Sequence, residues 1–164
     1  LLNWLFPQLQ LDSYGIRSQD FSWLPGIIIA PWLHGSWAHL MANTLPFLIF
    51  GGLILLQGVG IFWLVTSISM LVSGVGVWLF CPPSVVTVGA SGIIFGYFGF
   101  LLSRGLLTRT KSAIAIFLIV IFLYGGMIWG ILPSSPNVSW QAHLFGFMGG
   151  VFSANLERTR NKNH

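Results

Sequence analysis

Residues 61–80 read IFWLVTSISMLVSGVGVWLF, an uncharged run that stops at Cys81-Pro82-Pro83. A helix needs about 20 mostly apolar residues to cross the hydrocarbon core of a bilayer, and this segment has that length. The pattern continues on both sides: no Asp, Glu, Lys or Arg occurs in residues 21–103 or in 112–156. In a chain of 164 residues with 55% apolar and 6% charged side chains, a water-soluble domain could not cover its surface. The chain reads as an all-α polytopic membrane protein forming one membrane domain over 1–164. Runs and breakers predict four more spans, at 37–56, 88–104, 112–132 and 139–156, of which 88–104 is short. Their connections are brief, so sequence neighbours should be spatial neighbours.

The few charges set the orientation. Arg104, Arg109 and Lys111 join the third and fourth spans, and Arg158, Arg160 and Lys162 follow the fifth. With five alternating spans both clusters fall on one side, which the positive-inside rule makes cytoplasmic. Residues 157–164 then form a cytoplasmic basic tail, and 7–36 lie outside. Arg17 is the exception, accompanied by Asp12 and Asp20. Within 7–36 the residues Trp23, Leu24, Ile27, Ile28, Ile29, Trp32 and Leu33 are too apolar for a solvated loop and predict a segment lying in the outer interface. Residues 1–6 read as the tail end of a helix whose beginning is absent.

The charge map also excludes chemistry. Paired carboxylates, a proton relay through acids, a voltage sensor and a phosphate loop each need a residue the apolar stretches lack. No Glu lies near a His in an HExxH pattern. The net charge of +4 is concentrated beside the spans, which is a topology signature and not a nucleic-acid face. The lone Cys81 permits no internal disulfide, and the start has no secretory signal pattern.

Polar residues inside a membrane bundle are costly and need a reason. Asn43 lies 14 residues before Gln57, Ser91 lies 13 before Arg104, and His143 lies 14 before Glu157. At 1.5 Å per residue each sits roughly 20 Å above the inner boundary, so an amide, a hydroxyl and an imidazole from three spans share one depth. His39 is one turn above Asn43 on the same face. Ser91 stands in Gly89-Ala90-Ser91-Gly92 where a helix begins, and free N–H groups there could receive an oxyanion. A hydroxyl needs a base to become a nucleophile, and His is the only candidate type. The expectation is a Ser–His pair without a third, orienting acid, with Asn43 and His39 as further donors.

Packing explains part of the same pattern. Gly89, Gly92, Gly96 and Gly99 on one span, and Gly146, Gly149 and Gly150 on another, form small-residue faces that let helices approach closely. A membrane serine commonly bonds its own backbone, and Asn43 could be interhelical glue. His34, at the outer boundary, reads as a loop-organising residue.

Taken in order, His34-Gly-Ser-Trp-Ala-His39-Leu-Met-Ala-Asn43, Gly89-Ala90-Ser91-Gly92 and Ala142-His143-Leu-Phe-Gly146 resemble the three-part signature of the rhomboid intramembrane serine proteases. The resemblance covers nearly the whole chain from residue 14 to 156. It implies a rhomboid-like bundle with Ser91 as nucleophile and His143 as general base and then acid. His39, Asn43 and the Ser91 N–H would form the oxyanion hole, and His34 would hold the outer segment. It also implies transmembrane protein substrates cut near the outer leaflet, entry past the fourth span and loop 133–137, and no metal or other cofactor. A prokaryotic cell membrane is the expected location.

Two departures accompany the resemblance. Family cores have six spans, and the first is nearly absent here. Many members carry a Tyr four residues after the nucleophile, stacked on the catalytic His; here Phe95 keeps the ring and loses the hydroxyl, and activity is expected to survive. The competing readings are a catalytically silent rhomboid-like binding or quality-control protein and a metal-binding channel using His34, His39 and His143. The first would ordinarily lack the Ser or the His, and the second lacks Cys or carboxylate partners.

Overall fold

The computed structural model describes residues 7–133 and 138–162. Five long helices dominate: α1 (Trp37–Leu55), α2 (Val59–Phe80), α3 (Ser91–Thr108), α4 (Lys111–Tyr124) and α5 (Trp140–Lys162). Their boundaries follow local chemistry. The Ser36 hydroxyl caps α1 by accepting from the His39 N–H at 3.1 Å, and the Thr110 hydroxyl caps α4 by accepting from the Ala113 N–H at 3.3 Å, a use of Ser and Thr that satisfies otherwise orphaned helix donors. Helix α2 ends at Cys81, before two prolines that cannot continue it.

Among the described residues four helical segments are long and apolar enough to span a membrane: α1, α2, α3, and α4 together with the 3-10 helix Gly125–Ile131 that continues it. The fifth expected span is a 23-residue helix, but it is not one of those four, because polar and charged residues dilute its lower part. It also runs on through Glu157, Arg158 and Arg160, so most of the expected basic tail continues the helix.

Helix α3 is the central one. Of its most apolar 18 residues 61% are buried, against 22% for α1, 28% for α2 and 6% for the fourth span. Tyr97, Phe98 and Phe100 are fully enclosed, whereas Leu118, Ile119, Phe122 and Leu123 of α4 point outward, as expected where the solvent is lipid. Glycines bring helices α2, α3 and α5 into close contact. A Cβ on Gly146 would fall on the Gly92 carbonyl and one on Gly150 on the Gly96 carbonyl, while Gly92 and Gly96 face the Ser73 and Ser69 hydroxyls of α2.

The outer segment contains short 3-10 and α-helical turns across Phe21–Trp32. Ile27 and Ala30 are buried, Ile27 against Gly74 of α2, while Phe21 and Trp32 remain exposed. The helical bundle bears out the all-α expectation, and one short strand pair accompanies it. A two-stranded antiparallel pair joins β1 (Ile16–Arg17) to β2 (Val86–Thr87), with Ile16 opposite Thr87 and Arg17 opposite Val86. These strands let the outer segment hydrogen-bond to the chain just before Ser91. The expected helix remnant at 1–6 and most of loop 133–137 lie outside the described residues.

Candidate active site

Ser91 is the first residue of α3, and Ala90 before it provides no side-chain cap. The first N–H groups of the helix therefore lack intrahelical acceptors. The approach is fixed by Gly89, whose φ of +114° suits glycine alone. Its N–H donates to the Ala30 carbonyl at 2.9 Å, so the outer segment anchors the turn. A Cβ at Gly89 would also lie 2.6 Å from His39 Cε1, 2.7 Å from His39 Nε2 and 3.4 Å from Asn43 Nδ2. Both α1 side chains thus converge on the turn that leads into Ser91.

Asn43 is buried, and its Nδ2 has no hydrogen-bond partner among the described residues. Leaving such a donor unsatisfied costs about 1–3 kcal/mol. The His39 and His34 rings meet edge to face with centroids 5.2 Å apart. Burial, and after it the neighbouring His39, holds the His34 imidazole below its ordinary range. His34 therefore favours the neutral form at neutral pH.

His143 stands in the first turn of α5. Its ring stacks on Phe95 with centroids 4.0 Å apart and planes 8° from parallel. Phe95 lies one helical turn after Ser91, so the two side chains share a face of α3. The His143 Nδ1 is 2.9 Å from the Gly130 carbonyl oxygen. A carbonyl can only accept, so Nδ1 carries the proton, and Nε2 keeps its lone pair. Among the described residues no direct hydrogen bond joins the Ser91 hydroxyl to His143.

Two contributors were not legible in the sequence. Gly130 acts through its carbonyl, a group every residue possesses, so no side-chain type signals it. Its lack of a Cβ is needed, because one there would lie 2.8 Å from the Phe95 ring. Ser73 donates its hydroxyl to the Ala142 carbonyl at 2.9 Å, pinning the residue before His143 to α2. Gly92 and Gly146 provide the backbone contact that brings the two site helices together. Beside Ser91 lies a cavity of about 20 Å³, lined by Thr87, Gly89, Gly92 and Ala142 among others, with room for one water-sized group. A larger apolar cavity of about 360 Å³ lies between α1 and α2 and reaches His34, Asn43 and Ala90. Among the described residues no group of three or more His, Cys, Asp or Glu is arranged to hold a metal ion, so the histidine channel lacks a visible ligand set.

Comparison with known proteins adds an independent line. A family model described as Rhomboid domain matches residues 22–159. An uncharacterised protein of Mycobacterium tuberculosis is 44% identical over 156 residues, covering 90% of this chain and 65% of that protein. A Mycobacterium leprae protein, also uncharacterised, is 42% identical over 156 residues, covering 89% of this chain and 61% of its own length. RHOMBOID-like protein 1 of Arabidopsis thaliana is 37% identical over 125 residues, covering 73% of this chain and 31% of that protein. The chain thus spans less than two thirds of the length of these mycobacterial relatives. The family match runs from the outer segment into the fifth long helix, and on that extent the chain belongs to the rhomboid family.

Proposed function

We propose that the chain is an intramembrane serine endopeptidase that hydrolyses peptide bonds of transmembrane protein substrates near the outer leaflet. The observation that carries this reading is the His143 imidazole, stacked on Phe95 beside the Ser91 face of α3 and bonded through Nδ1 to the Gly130 carbonyl. That carbonyl takes the orienting part played elsewhere by a carboxylate: it fixes the tautomer and leaves Nε2 as the base. The Ser91 oxygen attacks the substrate carbonyl carbon while its proton passes to Nε2. The resulting oxyanion accepts hydrogen bonds from the Ser91 N–H and Asn43 Nδ2, with His39 adjacent. Collapse breaks the C–N bond, and the imidazolium returns its proton to the departing amine. Water then attacks the acyl-enzyme carbonyl, giving its proton to His143; collapse breaks the acyl C–O bond, and the imidazolium returns that proton to the Ser91 oxygen, releasing the carboxylic acid product.

Single-membrane-domain organisation and a cytoplasmic C-terminus complete the proposal. The site then opens outward, since Ser91 and His143 begin their helices on the side opposite the basic clusters. Substrate entry past the fourth span is supported by that span's slight burial and by the way Gly125–Ile131 covers His143. The test is covalent labelling of the detergent-solubilised protein with a fluorophosphonate, followed by peptide mass mapping. An adduct on Ser91, lost in Ser91→Ala and strongly reduced in His143→Ala, is expected. A folded protein that forms no adduct, or one whose adduct survives Ser91→Ala, would favour the catalytically silent alternative.

A further inference from the structure

Helices α3 and α5 both begin on the site side and run parallel. Contacts recur along their length: Gly92 meets Gly146, Gly96 meets Gly150 and, beyond Phe100, Arg104 meets Glu157. The first two contacts are backbone against backbone, made by dispersion between smooth surfaces. The third is different in kind. Arg104 Nε donates to both Glu157 oxygens, at 3.1 Å and 3.4 Å, and Glu157 is only 5% exposed.

We propose that Arg104 and Glu157 are positioning residues: their ion pair sets the axial register of α3 against α5 and so holds Ser91 beside His143. A buried ion pair is weak evidence for stability, because desolvation cancels much of its attraction; its best-attested use is to fix register. Arg104 is 13 residues from Ser91 and Glu157 is 14 from His143, so the pair and the site lie at opposite ends of one parallel contact roughly 20 Å long. A slip of one residue would move one site residue past the other by about 1.5 Å. A displacement near 1 Å can cost about 100-fold in rate. The α2 serines face Gly92 and Gly96, near the site end, and the ion pair lies toward the far end of the same contact.

The inference rests on the Ser91–His143 reading, and the experiment separates the two. The full chain is compared in detergent with Arg104→Met/Glu157→Leu, which replaces both charges by apolar groups, and with the swap Arg104→Glu/Glu157→Arg. The apolar double variant is expected to keep a melting temperature near the unsubstituted protein while Ser91 labelling by a fluorophosphonate slows at least ~10-fold. The swap should recover part of that rate. A second readout needs no catalysis: the His143 ring protons, assigned by comparison with His143→Gln, are shifted by the Phe95 ring, and the apolar variant should move them. Unchanged labelling together with unchanged ring shifts in the apolar variant would overturn the proposal. If the unsubstituted protein gives no Ser91 adduct, the dyad reading fails and the ring shifts alone decide the register. Should the apolar variant not fold, the swap decides: full loss of both rate and ring shift overturns a pairwise register role, and their recovery supports it.

Discussion

The amide nitrogen of Asn43 is buried in a membrane helix, close to Gly89, with no partner among the described residues. Burial without a bond is unfavourable for folding; in the proposed mechanism the donor gains its acceptor when the oxyanion forms. Asn43→Ala should therefore lower the rate of peptide cleavage by about 100- to 1,000-fold, the usual effect of losing one oxyanion donor. The melting temperature in detergent should stay level or rise. A parallel fall in activity and thermal stability would assign Asn43 to packing instead. The sequence placed Asn43, Ser91 and His143 at one depth by counting residues, and it placed His39 one turn above. It could not place Gly130 in the site, since its contribution is a main-chain oxygen brought in by the end of the fourth span.

Among the elements, α2, α3 and α5 are joined by glycine and serine more than by large side chains. The small-residue faces on α3 and α5 were legible as periodic patterns, but their partners were not: Gly92 and Gly96 meet serines of α2 as well as α5. Gly146→Ala would put a methyl group on the Gly92 carbonyl and must push the two helices apart. Overpacking of this kind typically costs about 1–3 kcal/mol. The variant should melt earlier in detergent and label more slowly at Ser91. Gly52→Ala, where a Cβ would meet open space, should change neither. Equal melting temperatures for the two variants would contradict the close contact. The β1–β2 pair belongs to the same scale: two residues on each side gave no strand pattern, and their pairing arises only when the outer segment folds onto the turn before Ser91.

Across the whole molecule, the charges order the protein against the bilayer. Six of the seven Lys and Arg residues occur at or after Arg104, in clusters beside the ends of α3 and α5. Their proposed cytoplasmic placement predicts that a fluorescent protein fused after His164 is fluorescent in bacterial cells, whereas alkaline phosphatase fused there is inactive. Active phosphatase at that position would invert the assigned topology. The outward apolar face of α4 and the exposed Trp32 and Trp63 agree with a bundle surrounded by lipid.

Composition and hydropathy determined by themselves that this chain folds in a membrane as helices, because a charge-free stretch of such length has no other stable solvent and its backbone must bond internally. Spacing along those helices also gives each polar residue an expected height, since rise per residue is constant. What only the tertiary structure decided is rotation and pairing: that α3 is central, that Phe95 lies flat on His143, that a carbonyl at Gly130 holds the imidazole, and that Arg104 reaches Glu157. Periodicity gives each helix a face and a depth, but which faces meet depends on close packing among all the helices at once.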